Sequence, residues 1–239
     1  MHCHHEYLDV SSTLRSNRNT TDPSDCIIPS NMLLRGVYQL RAISLPLTYH
    51  NVNSYNNVIY FTDAGGAHTC QMAPGYYSSF VSLAAEVAQV MSAAGAGTVT
   101  CSINARTNVL TVINTVPFSF TFGSNTSNSA AQLLGFAGNS ATATVQTGQN
   151  TMSLNSTSCY NVMIDDTMMN VTSLNGQRCT FKIPAVFSTP SVMYYQPSQE
   201  FPISIDFQAT KSLHVRILDD QYRPLTNMSL DWYMMLQKC

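Results

Sequence analysis

Only one stretch of this 239-residue chain repeats its apolar residues at spacings of three and four. Almost everywhere else the apolar positions alternate with polar ones in short runs broken by Pro, Gly, Asn or Asp. Period two is the repeat of a strand that buries one face, and period 3.6 is that of an amphipathic helix. The single helical stripe is Phe80, Leu83, Ala84, Val87, Val90 and Met91, preceded by Pro74-Gly75 and the cap candidates Ser78 and Ser79, and closed by Gly95 and Gly97. One chain with one helix and about a dozen short strands must bury sheet against sheet, which limits it to a two-layer all-β sandwich of Greek-key or jelly-roll type.

The strands expected from alternation run along the chain as Gly36 to Leu45, Asn57 to Asp63, Ala67 to Met72, Thr98 to Ile103, Val109 to Asn114 and Phe118 to Phe122. After them come Cys159 to Ile164, Cys179 to Ile183, Ser191 to Tyr195, Phe201 to Phe207, Ser212 to Leu218 and Ser229 to Leu236. Gly65-Gly66 reads as a hairpin turn, where positive φ is needed. Arg106-Thr107-Asn108 and Pro117 read as corners. Ser129 to Leu134 is a short helical turn, and Asn139 to Asn150, poor in large apolar residues, reads as an exposed loop. Residues 1 to 36 read as an arm and 37 to 239 as the sandwich domain, with no inserted second domain. Within the arm, Tyr7, Leu8 and Val10 carry the only strand-like alternation, suited to adding a strand to a neighbour's open sheet edge.

Function classes fall away on charge. Asp, Glu, Lys and Arg make up 10% of the chain, the net charge is −2, and only 11 residues are basic, where soluble domains average about 25% charged. So few dispersed cations leave little counterion release to drive nucleic-acid binding. The polar coat is Ser, Thr and Asn, 27, 24 and 19 of them. No apolar run reaches the roughly 18 residues that span a bilayer, and Met1 to Glu6 lacks the form of a secretory signal. Synthesis in the cytoplasm is therefore expected, with the five Asn-x-Ser/Thr sequons left unmodified and the seven scattered cysteines reduced.

No catalytic pattern is spelled out. His2-Cys3-His4-His5 offers imidazole and thiolate, but a terminus supplies no surrounding groups to orient them. The His-x-His and later Glu of a cupin-type metal site are absent, as are a Gly-x-Ser-x-Gly elbow and a phosphate loop. Asp165-Asp166 and Asp219-Asp220 are the only acidic doublets, and neighbours on a strand point to opposite faces. Tyr194 and Tyr195 could stack on sugars or on partner side chains, although cross-strand packing is the commoner use of strand aromatics. Neither cofactor, metal, catalytic residue nor small-molecule substrate is indicated. The helix residues Phe80, Leu83, Val87 and Met91 are expected to pack on a sheet.

Three stretches in a fixed order carry a resemblance. These are Pro74-Gly75-Tyr76-Tyr77 running into the helix, then Ser129-Ala130-Ala131-Gln132-Leu133-Leu134-Gly135-Phe136, then the C-terminal strands Leu213 to Leu218 and Leu230 to Leu236 around Asp219-Asp220-Gln221. In this order the chain resembles the penton, or vertex, proteins of nucleocytoplasmic large DNA viruses, virophages and polinton-like elements, over about residues 36 to 237. The resemblance implies an all-β single jelly roll carrying an inserted helix and helical turn. It also implies a non-enzymatic homopentamer in the virion, contacting the double jelly-roll major capsid protein and minor capsid proteins. The alternatives are a minor capsid, cement or fibre-like attachment protein and, in another class, a carbohydrate-binding or cupin-type enzyme domain.

Overall fold

The computed structural model describes residues 7–16, 22–29, 35–46, 50–95, 97–155, 157–164, 171–172, 176, 178–185, 192–197, 202–206, 212–225, 228 and 231–238. In chain order the elements begin with β1 (Tyr7–Ser11), a single 3-10 turn (Ser12–Leu14), β2 (Asp25–Pro29) and β3 (Arg35–Pro46). Next are β4 (Val58–Asp63), β5 (Gly66–Gln71), α1 (Phe80–Ala94), β6 (Val99–Ile103), β7 (Leu110–Phe120), α2 (Ala131–Leu134) and β8 (Ala143–Thr147). The chain then continues through β9 (Cys159–Ile164), β10 (Val171–Thr172), β11 (Arg178–Cys179), β12 (Phe181–Pro184), β13 (Val192–Tyr195), β14 (Pro202–Asp206), β15 (Ser212–Leu218) and β16 (Tyr233–Lys238).

The chain divides into two compact units, one of residues 1–49 and 157–239 and the other of residues 50–156, inserted between β3 and β9. This differs from the expected arm over 1–36 and uninterrupted sandwich over 37–239. The expected arm holds β1 and β2, which are strands of the sandwich itself.

The first unit pairs its strands from the outside in: β1 with β16, β2 with β15, β3 with β13 and β14, and β9 with β12. β13 and β14 share one edge of the twelve-residue β3, at opposite ends of it. Such nesting is a long hairpin rolled up on itself. The rolling gives two sheets, β1-β16-β3-β13 with β14 beside β3, and β12-β9-β15-β2, which is a jelly roll. Their inward faces share one core that includes Tyr38, Ile43, Leu45, Val162, Val215, Ile217, Met234 and Leu236. Alternation on β3 is interrupted because β16 steps from Ala42 to Leu40, leaving Arg41 as the extra residue of a bulge. Leu40 and Ile43 therefore both face the core although they are three residues apart.

Trp232, just ahead of β16, is 1% exposed and closes the roll. Its indole Nε1 donates to the Pro23 carbonyl at 2.6 Å, its backbone N–H donates to Ser12 Oγ at 3.0 Å, and its carbonyl accepts from the Ser12 N–H at 3.1 Å. Ser12 Oγ in turn donates to the Asp231 carboxylate at 2.8 Å, and Arg15 pairs with the same carboxylate. A buried indole N–H without a partner costs about 1–3 kcal/mol, so the Pro23 carbonyl, with Ser12, fixes the ring in the core.

The inserted unit forms an antiparallel sheet in the order β5-β4-β7-β6, with β8 also on β7, and α1 packs against β5 and β6. Ser79 caps the helix, its Oγ accepting from Ser82 N at 3.1 Å. Leu83, Ala84, Val87 and Met91 are buried, and Phe80 packs at the margin of the same core. The helix ends at Gly95, whose N–H still bonds the Met91 carbonyl, and only glycine fits there, since a Cβ would meet the Phe61 ring at 2.7 Å and Asp63 Oδ2 at 2.9 Å. Phe118, Phe120, Phe122 and Phe136 fill the centre, with Phe120 and Phe136 centroids 4.5 Å apart.

Two expectations change here. Pro117 does not break the chain into two strands, because β7 runs on through it to Phe120. The proline is exposed and sits where the pairing with β8 skips from Ile113 to Phe118, so its missing N–H is not required by the ladder. The expected loop over Asn139 to Asn150 contains β8, whose Ala-Thr-Val-Gln-Thr sequence lacks large apolar residues because β8 is an edge strand with one buried side chain, Gln146.

Trp232→Ala should cost about 3–5 kcal/mol, read as a lowered midpoint in urea, whereas an unchanged midpoint would remove Trp232 from its closing role. Val87→Asp should lower the stability of the inserted unit by about 2–5 kcal/mol; intact helical circular dichroism at an unchanged melting temperature would contradict the helix packing.

Candidate assembly surfaces

The polar groups that could do chemistry are occupied in building turns and joining strands. Asp219 Oδ1 accepts from the backbone N–H groups of Gln221 and Arg223, and its Oδ2 pairs with Arg223 Nε at 2.7 Å. Its neighbour Asp220 accepts from Ser158 N at 2.9 Å and Ser158 Oγ at 2.7 Å. The doublet braces two separate connections. His68 lies 2.8 Å from Asp63 across the β4–β5 hairpin, and His214 lies 2.6 Å from Asp25 across β15 and β2. His2-Cys3-His4-His5 and Asp165-Asp166 lie outside the described residues. Among the described residues no three His, Cys, Asp or Glu side chains gather as a metal site would require, and no helix is long and apolar enough to cross a membrane.

The thiols share this structural character. Cys26, Cys70, Cys101, Cys159 and Cys179 are all unpaired by disulfides. Burial pushes the Cys26, Cys70 and Cys101 thiols up to about 12. They are therefore uncharged at neutral pH and poor as nucleophiles or metal ligands.

One outer face exposes apolar and phenolic side chains. On the outer face of the β1-β16-β3-β13 sheet, cross-strand register lines up Ser11, Tyr233, Ser44 and Tyr194 in one row, with Asp9 and Met235 in the next. Tyr194 is 65% exposed, Val192 58% and Tyr7 53%. The Tyr233 hydroxyl donates to the Asp9 carboxylate. That hydrogen bond, with burial and the carboxylate charge adding to it, pushes the Tyr233 phenol up to about 12. The outer face of the other sheet is of a different kind, with Asp25 and Ile27 on β2, His214 and Arg216 on β15, and Lys182 on β12. One sandwich thus presents two unlike faces.

The strand expected to reach a neighbour pairs within its own chain: Tyr7 to Ser11 lie along Tyr233 to Gln237 of β16. Val10 is 2% exposed in the core and Leu8 packs against it, while Tyr7 points outward. Leu83, Val87 and Met91 lie in the core of the inserted unit, with Phe80 packed at its margin. Sequence reading missed β2, where Cys26 and Ile28 alternate with Asp25 and Ile27 in a five-residue strand that follows Pro23 and ends on Pro29. It also missed the inserted unit as a unit. A signal for that was present: of the chain's 11 basic and 13 acidic residues, the stretch from His50 to Ser156 holds only Asp63, Glu86 and Arg106.

No protein-family model matches the chain, and no curated protein matches it in sequence. It is similar, however, to solved structures. The Sputnik virophage, solved by cryo-EM at 3.5 Å, contains a chain 12% identical, matched over 98% of this chain and 97% of that one with a TM-score of 0.48. The mavirus penton protein is 9% identical and matches over 98% of both chains with a TM-score of 0.53, so that this chain shares the fold of that penton protein.

Proposed function

We propose that this chain is a non-enzymatic structural capsid protein, the penton subunit that assembles as a homopentamer at the five-fold vertices of an icosahedral DNA virus. The observation that carries the reading is the fold shared with the mavirus penton protein across 98% of both chains, jelly roll and insertion included on this side of the comparison. Its place is the virion, among double jelly-roll major capsid and minor capsid proteins, and its synthesis is in the host cytoplasm.

The unlike faces of the sandwich support a ring. Five copies related by a five-fold axis meet head to tail, so that each interface joins two different patches of the same molecule. The phenolic face, with Tyr194, Val192 and Tyr7 exposed, and the face bearing Ile27, His214, Arg216 and Lys182 supply two such patches on one compact unit. On the phenolic face, aromatic anchors with few charges to desolvate are what the centre of a protein interface favours, and on the other face Asp25 already pairs with His214, which lowers the cost of covering them.

The purified chain should run in native mass spectrometry as a species of five times 26.3 kDa. Tyr194→Asp should weaken that assembly at least about tenfold, or 1.4 kcal/mol, without altering the unfolding midpoint of the monomer. A chain that stays monomeric up to high concentration, or a Tyr194→Asp protein that assembles like the parent, would overturn the ring or the role of that face respectively.

A further inference from the structure

We propose that the β6–β7–β8 face of the inserted unit is a second contact between copies of this chain, meeting a charge-free surface of the neighbouring copy's own inserted unit. The proposal rests on the ring reading above.

Register defines the face. Thr100 on β6, Ile113 on β7 and Val145 on β8 lie side by side in one row, and Ser102, Thr111 and Thr147 in the next; Thr111 and Thr147 hydroxyls touch at 3.3 Å. Ile113 is 40% exposed and Val145 48%. An aliphatic cross-strand pair thus stands in the open, framed by β-branched hydroxyl side chains. α1 lies against β5 and β6 and its buried side chains share the core with Val99, Leu110 and Val112, so the helix covers the other face of the sheet.

Charge argues for the occupant. The Asp63 side chain is shielded from solvent, which leaves Glu86 and Arg106 as the only charged side chains that this unit presents. A surface that must stay single in solution ordinarily relies on charge, and a surface that must select an unlike partner ordinarily uses complementary charge. This one has neither device. The sheet's edges are equally unguarded: β6 and β8, each paired on one side only, contain no charged residue and no proline, the features that normally keep an edge from pairing with another chain.

A second copy fits this chemistry. It brings an equally neutral surface, so contact in a head-to-tail ring desolvates no charge and opposes no like charges. It also arrives without having to be selected. The unit is joined to the sandwich at both ends, starting at His50 shortly after Pro46 ends β3 and finishing at Ser156 shortly before Cys159 begins β9. Once the sandwiches form a ring, the inserted units are held at a high effective concentration, on the order of millimolar for short tethers, where weak neutral contacts suffice.

The test compares assembly of the full chain with that of Ile113→Lys/Val145→Lys, of the uncharged Ile113→Ser/Val145→Ser, and of Val81→Lys, which alters a 72% exposed aliphatic on α1. Sedimentation velocity across a dilution series reads the assembly and thermal unfolding reads the fold. The contact is expected to show as pentamer dissociation at least tenfold easier in the lysine pair, a smaller loss in the serine pair, and parent behaviour for Val81→Lys, with melting unchanged. A parent that forms pentamers and an Ile113/Val145 pair of either kind that forms them equally well would overturn this contact and leave the ring intact. A parent that never forms pentamers would overturn the ring and this contact with it.

Discussion

The first strand of the sandwich lies beside the last, and that pairing is the constraint on which the rest of the molecule depends. A jelly roll closes only when its two ends meet, so every strand between them can be formed before the roll is secure. Here closure is sealed by Trp232, whose ring lies in the core and whose polar atoms are answered by Pro23 and Ser12. With Asp231 joined to Ser12 and Arg15, the segments before β2 and before β16 form one lock. Loop-closure entropy rises slowly with length, and this lock spans more than two hundred residues of chain, including a complete inserted unit. The hydrogen bonds concentrated at this corner help to offset that cost.

Closure also frees the surfaces for other work. Once the inward side chains of both sheets are buried together, the outward ones need only stay compatible with water and with whatever docks. The sandwich carries nearly all of the chain's charge, in pairs such as Asp25 with His214 and Asp219 with Arg223, while the inserted unit carries almost none. A division of this kind would suit the capsid subunit proposed above, since association would then come from shape and apolar contact rather than from long-range fields that salt screens.

Much of this was legible in the sequence. Period-two alternation located most of the strands, and the 3.6-residue stripe gave the helix with its serine cap and glycine stop, because burial of one face leaves a repeat that no other constraint produces. Three features were hidden for physical reasons. β2 is five residues long, with Ile27 outward and Ile28 inward, so hydropathy alone shows no alternation. β8 is an edge strand that buries only the polar Gln146, whose Nε2 donates to the Phe118 carbonyl, and thus has no apolar pattern to find. The inserted unit matches the sandwich in strand content, and its boundary lies in the distribution of charge rather than in hydropathy. The sequence singled out Tyr194 and Tyr195 together as possible stacking residues, and only the placement of β13 against β3 separates them, with Tyr194 and Val192 outward and Met193 and Tyr195 turned to the core.

Imaging the virus particle that contains this chain, at a resolution that resolves strands, addresses the vertex assignment most directly. Five copies of the jelly roll around each five-fold axis, flanked by double jelly-roll capsomers, is the expected result. Density for this chain at three-fold or general positions, or its absence from the particle, would contradict it.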